Sequence, residues 1–189
     1  ILKKQRDAVG LSIYNEKIDF SCQEKGSERH FNMIYNELKK LYSLKPKSKK
    51  TETYTFLHQI AEQLKRRSMV ILFSDMLQDP EKQNEVFEAL RHLKYNKHQI
   101  ILFHVIDEEH EVNFNFDNLP KKFVDVETGE HVQLYADQVK EDYTKAVNSY
   151  FKALKLKCAQ YKINYQKVDV NMGFDQVLRS FLAGKNALN

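Results

Sequence analysis

The run Met69-Val70-Ile71-Leu72-Phe73 stops abruptly at Ser74 and Asp75. A short, uninterrupted apolar run rich in β-branched residues reads as a strand buried on both faces, the usual state of an inner strand in a parallel sheet. A second run, Gln99-Ile100-Ile101-Leu102-Phe103-His104-Val105-Ile106, ends at Asp107-Glu108-Glu109. Between the two, Asp79-Pro80-Glu81 opens a helix, with aspartate as its cap and proline at its first position. Val86, Phe87, Leu90 and Leu93 form the buried stripe of that helix. Two strand–helix units in succession predict a parallel sheet with helices on its faces. Polar side chains at the carboxyl ends of such strands face the crevice where ligands bind, which makes Asp75 a candidate functional residue. Ser74 and Asp75 would serve equally well to cap the turn or the next helix.

The rest of the chain extends this pattern. Ala8 to Tyr14 and Ile18 to Cys22 read as two strands joined by the polar turn Asn15-Glu16-Lys17, a hairpin that adds an antiparallel edge. Ser27 supplies an N-cap for a helix whose stripe is Phe31, Ile34, Tyr35, Leu38 and Leu41. Ser43 to Lys50 is a basic loop, and Thr51-Glu52-Thr53-Tyr54-Thr55 leads into a helix buried through Leu57, Ile60, Ala61 and Leu64. From 111 to 135 the pattern shortens. Val112, Phe114 and Phe116 alternate with polar residues, and two short strands flank the turn Glu127-Thr128-Gly129-Glu130, so a small β insertion is expected. A long helix from about Ala136 to Tyr161, buried through Val139, Tyr143, Val147, Tyr150, Leu154 and Cys158, is followed by an edge strand from Ile163 to Val170 and a closing helix through Phe174, Val177, Leu178 and Phe181. The expected fold is α/β: one domain over 1–189, a mostly parallel sheet with helices on both faces, an antiparallel hairpin edge and the insertion.

Composition narrows the function. A formal net charge of +4, with both signs interleaved, is too mild to imply nucleic acid. Cys22 and Cys158 have no metal-binding or redox spacing, which predicts a reduced, cytoplasmic chain. No apolar run reaches the roughly 18–20 residues of a membrane helix. The sequence contains no G-x-G-x-x-G, no G-x-x-x-x-G-K-[ST] and no G-x-S-x-G, which argues against a phosphate-cradling loop and a nucleophile elbow. His104, inside a strand, reads as a hydrogen-bonded core residue. His110 with Asp107, Glu108 and Glu109 reads either as a divalent-metal site or as a solvated acidic loop. Thr51, Thr53 and Asp75 offer hard oxygen ligands suited to Mg²⁺ or Mn²⁺ held partly through water.

The order of these features resembles a von Willebrand factor A-type domain: the strand Ala8-Val9-Gly10-Leu11, its hairpin partner, Lys50-Thr51-Glu52-Thr53 before a helix, and Phe73-Ser74-Asp75. Phe103-His104-Val105-Ile106-Asp107 and Phe123-Val124-Asp125-Val126-Glu127-Thr128-Gly129-Glu130 resemble the bacterial DUF58 family, whose C-terminal half is such a domain. The resemblance implies a metal ion-dependent adhesion site in which Thr51 and Asp75 are ligands and Thr53 and Ser74 are supporting hydroxyls. It also implies Mg²⁺ or Mn²⁺ in the complete protein, and a MoxR-type AAA+ ATPase as partner in protein assembly or maturation. The family's Asp-x-Ser-x-Ser loop follows a first strand, and nothing before Asp7 carries it. The expected chain is therefore N-terminally truncated, with two bare strand edges at 8–14 and 69–74 that slide together or borrow pairing from a second copy. The rival reading is a metal-dependent phosphohydrolase or nuclease built on Asp75, Asp107 and the 107–111 loop.

Overall fold

The computed structural model describes residues 5, 7–15, 18–43, 53–65, 67–77, 80–116, 121–124 and 131–179, with the backbone alone at 80, 121–124 and 131–134. The chain divides into two compact units, one made of residues 1–52 with 125–130 and one of 53–124 with 131–189. The expected helical stub at 1–6 (apart from Gln5), the Ser43–Lys50 loop (apart from Ser43), Thr51, Asp79 and the turn 127–130 lie outside the described residues.

In the first unit, β1 (Val9–Tyr14) and β2 (Ile18–Lys25) form the expected antiparallel hairpin, and β2 alternates strictly between half-buried and exposed positions. Gly10 has a physical reason to be glycine. A Cβ there would lie 2.8 Å from the carbonyl oxygen of Cys22. Helix α1 (Glu28–Leu41) starts at Ser27, whose hydroxyl accepts the amide of His30. The His30 ring, almost fully buried, is tied to β1 by a 2.7 Å bond from Nε2 to the Val9 carbonyl. This joins helix to hairpin where a small unit has little apolar surface to bury.

The second unit is built on the parallel sheet β3-β4-β7, comprising β3 (Met69–Ser74), β4 (Gln99–Ile106) and β7 (Asn164–Asp169). Its helices are α2 (Thr53–Gln63), α3 (Gln83–Tyr95) and α4 (Ala136–Gln160). The crossovers from β3 to β4 and from β4 to β7 step in the same direction, so right-handed connections put α3 and α4 on one face. Phe151 of α4 meets the His104 ring edge-on there, with centroids 4.5 Å apart. The core on this face is Leu72, Leu102, His104 and Ile106 of the sheet with Val86, Leu90, Leu93, Leu154 and Cys158 of the helices. Strands β5 (Lys121–Val124) and β6 (His131–Leu134) pair antiparallel as the expected small insertion.

Several expectations are corrected. Strand β3 is not buried on both faces: Met69, Ile71 and Phe73 are 48%, 43% and 65% exposed, while Leu72 is buried. The reason is topological. β3 sits at the sheet margin, paired with β4 and, among the described residues, with no strand on its other side. The hairpin is a two-stranded sheet of its own and is not paired with the three-stranded parallel sheet among the described residues. Helix α3 is preceded by a 3₁₀ turn, Pro80–Lys82, and Lys82 at its N-cap makes no side-chain capping bond. The alternating stretch at 112–116 is not a strand. Glu108–Val112 is a π-helical turn, and Phe114 is left-handed with φ 49°.

Candidate functional site

The carboxyl end of β3 is a tight, strained turn. Ser74 Oγ accepts the Met76 amide at 3.0 Å, and Asp75 Oδ1 accepts the Leu77 amide at 3.1 Å. Both polar residues thus cap the turn. Met76 lies in the left-handed region with φ 54°, although its side chain is completely buried. A long side chain held in that conformation costs energy, and such strain persists only where surrounding contacts impose it.

Those contacts come from below. The His104 ring spans from β4 to the turn, with Nε2 2.7 Å from the Asp75 carbonyl and Nδ1 2.7 Å from Tyr165 Oη. A carbonyl can only accept, so Nε2 carries the proton and Nδ1 accepts from the tyrosine. Burial lowers the His104 pKa to about 4 and raises that of Tyr165 to about 12, which keeps both groups neutral and this polarity fixed. Tyr150 of α4 donates to the Met76 carbonyl at 2.5 Å. Its hydroxyl is held protonated first by burial and then by the negative charge of Asp75. The two consecutive carbonyls of Asp75 and Met76 are therefore pinned by two different elements.

Asp75 itself is open to solvent, yet its carboxyl pKa is raised, because desolvation outweighs the stabilising bond from the Leu77 amide. A carboxylate kept partly out of water beside a strained turn is a group prepared to exchange its surroundings for a ligand. Thr53 is buried as the first residue of α2, and its neighbour Tyr54 lies under Lys82 of the 3₁₀ turn, 5.6 Å from ring centre to Nζ. The start of α2 and the segment after β3 therefore meet. Of the expected site residues, the structure describes Asp75, Ser74 and Thr53. These do not by themselves fit Mg²⁺ or Mn²⁺, which want about six oxygens. Ser74 and Asp75 are already turned to backbone amides, and among the described residues no three His, Cys, Asp or Glu side chains converge as metal ligands.

The second acidic loop is organised differently. Asp107 caps the π turn through the amides of Glu109 and His110, and its other oxygen lies 2.8 Å from His110 Nδ1. The bond with His110 holds the Asp107 carboxyl below its usual range. Asp169, at the end of β7, accepts from the amides of Glu108 and Asn171, and Lys167 pairs with Glu108. These side chains are engaged in fixing the loop rather than converging with Asp75. His104 is the hydrogen-bonded core residue that its place in a strand predicts, but its grip on the Asp75 carbonyl was not visible in the sequence. Nor was the role of Tyr150, which reads as one more apolar position on the α4 stripe.

Comparison with known proteins adds the family. The sequence profile described as "Protein of unknown function DUF58" matches residues 1–151, most of the chain. This chain belongs to the DUF58 family. Neither curated proteins nor solved structures gave a match. Among the described residues of this DUF58 protein, no helix is long and apolar enough to cross a membrane.

Proposed function

We propose that this DUF58 chain is a non-enzymatic interaction module of von Willebrand A type. Its partner is a MoxR-type AAA+ ATPase, and its task is the assembly or maturation of other proteins. The contact is made at the carboxyl end of β3. The observation that carries the reading is the pinned turn: His104 and Tyr150 hold the Asp75 and Met76 carbonyls in a strained shape that presents the exposed Asp75 carboxyl at the rim of a parallel sheet. Sheets of this kind bind at that rim. In the complete protein Thr51 binds Mg²⁺ or Mn²⁺ directly and Asp75 acts through water, with Thr53 and Ser74 as supporting hydroxyls, and further oxygens complete the shell.

The test is capture of the MoxR-type ATPase from the same cell by the full chain, with Mg²⁺ or with EDTA. The expected result is Mg²⁺-dependent capture that Asp75→Ala abolishes. Capture unaffected by both EDTA and the substitution would remove Asp75 from the interface. Mn²⁺-dependent cleavage of a phosphodiester, lost in Asp75→Ala, would replace the module by a hydrolase.

We also propose that the chain self-associates along β3, whose free edge and open face of Met69, Ile71 and Phe73 favour a second copy.

A further inference from the structure

Helices α2 and α3 carry a pair of histidines that the candidate site does not use. His58 Nδ1 and His92 Nδ1 are 2.9 Å apart, with ring centroids 5.1 Å apart and planes tilted by 41°. Both residues are half-buried, so the rings are held by packing yet reachable from solvent. The neighbouring contacts show how the helices run. His58 meets His92, and one turn further along both helices Asn96 Nδ2 donates to the Ala61 carbonyl at 2.9 Å. The offset is nearly constant, so α2 and α3 lie parallel, and the pair sits within a continuous seam between them.

We propose that His58 and His92 form a two-imidazole binding site for a borderline divalent cation of the Cu²⁺ or Ni²⁺ class. In the metal-free pair one Nδ1 donates to the other, so two good nitrogen ligands already face each other across the seam. The distance selects the geometry. Metal–imidazole bonds are about 2.0–2.1 Å long, so two nitrogens at right angles around one ion are about 2.9 Å apart, and tetrahedral partners about 3.3 Å. The observed separation fits neighbouring corners of a square or tetragonal shell, the preference of Cu²⁺ and Ni²⁺, rather than tetrahedral Zn²⁺. On binding, the donating Nδ1 gives up its proton and that ring carries one on Nε2 instead. Among the described residues no third His, Cys, Asp or Glu is placed to join the pair, so water fills the other positions. The bound ion ties α2 to α3 and thereby fixes the helix that begins at Thr53.

The experiment uses the full chain with Ni²⁺ or Cu²⁺ alone as probe. In the unsubstituted protein the Cu²⁺ electron paramagnetic resonance spectrum should show coupling to two imidazole nitrogens at one equivalent of metal. Ni²⁺ should raise the melting temperature in a saturable way, because the ion binds only the folded seam. Either His58→Gln or His92→Gln should weaken Ni²⁺ binding by roughly 10–100-fold or more, since losing a ligand costs no less than losing a group that orients one. His110→Gln, which breaks the exposed pair with Asp107, should leave binding unchanged. Coupling to one nitrogen or none in the unsubstituted protein overturns the site, whether or not the variants fold. Equal Ni²⁺ affinity in His58→Gln and the unsubstituted chain does the same.

Discussion

At the scale of single residues, His104 and Asp75 make opposite demands on pH. His104 is completely buried and favours its neutral form, with a pKa lowered from 6.5 to about 4. The unfolded chain therefore binds a proton that the folded one refuses. The stability this group contributes is intact above about pH 6.5 and is lost as pH falls toward 4, on the order of 3 kcal/mol across that window. Burial lowers the pKa of His98 too, which acts in the same direction. Urea denaturation between pH 4.5 and 7 should show this slope, and His104→Gln should flatten it. An unchanged slope in His104→Gln would mean that other groups carry the acid sensitivity. Asp75, with a raised pKa, favours its protonated form in the fold, so its contribution is present at low pH and lost as pH rises through its folded pKa. Asp75→Asn keeps the oxygen that caps the Leu77 amide and removes the charge. It should raise the melting temperature at pH 7 while abolishing partner capture. A drop in melting temperature would show that the charge serves the fold rather than a ligand. How far these residues were legible follows from where their information lies. That Asp75 ends a strand is written in the run before it. That His104 and Tyr150 hold it is not, because those contacts cross 29 and 74 residues.

Among the elements, those with a strong apolar period were legible and those set by neighbours were not. β4 and α4 match their expected spans because Ile100, Leu102 and Ile106, and Tyr150, Leu154 and Cys158, recur at the spacing of strand and helix and are buried. The alternation of Val112, Phe114 and Phe116 misled for a local reason. Asp107 captures the next amides and starts a π turn, closed by the bond from the Asn113 amide to the Glu108 carbonyl. Val112 and Phe114 are buried from a coil, not from a pleat. The 34-residue separation of His58 and His92 carries no signal until the chain, having passed through β3, lays the two helices side by side. The element with the most to lose is the turn after β3. Tyr150→Phe keeps the ring but strips the hydroxyl that donates to the Met76 carbonyl, and a buried carbonyl left without a partner costs about 1–3 kcal/mol. Equilibrium denaturation should register that loss, and partner capture should fall with it as the turn relaxes. Undiminished stability would place water, rather than Tyr150, as the effective partner of that carbonyl.

For the whole molecule, the decisive feature is that β3, among the described residues, has no strand on its outer edge. An unbroken apolar run predicts burial on both faces, but burial is a property of the assembly rather than of the run. β3 has β4 on one side, and Phe73 stacks on Phe103 with centroids 4.9 Å apart, yet 65% of Phe73 remains open. A free strand edge with an apolar face is a template for another strand. Two copies joined about a twofold axis would pair β3 with β3 antiparallel and set the two rows of Met69, Ile71 and Phe73 side by side on one continuous face. Such an interface is small, so association should be concentration-dependent and populated on the order of 0.1 mM. Sedimentation velocity across a dilution series should show a monomer–dimer equilibrium for the unsubstituted chain. Ile71→Lys and Phe73→Lys place charge on the open face, the second at the cost of the Phe73–Phe103 stack, and should give a monomer whose circular dichroism still shows the fold. If these lysine variants associate as strongly as the unsubstituted chain, or if that chain stays monomeric throughout, the β3 edge is not the joining surface.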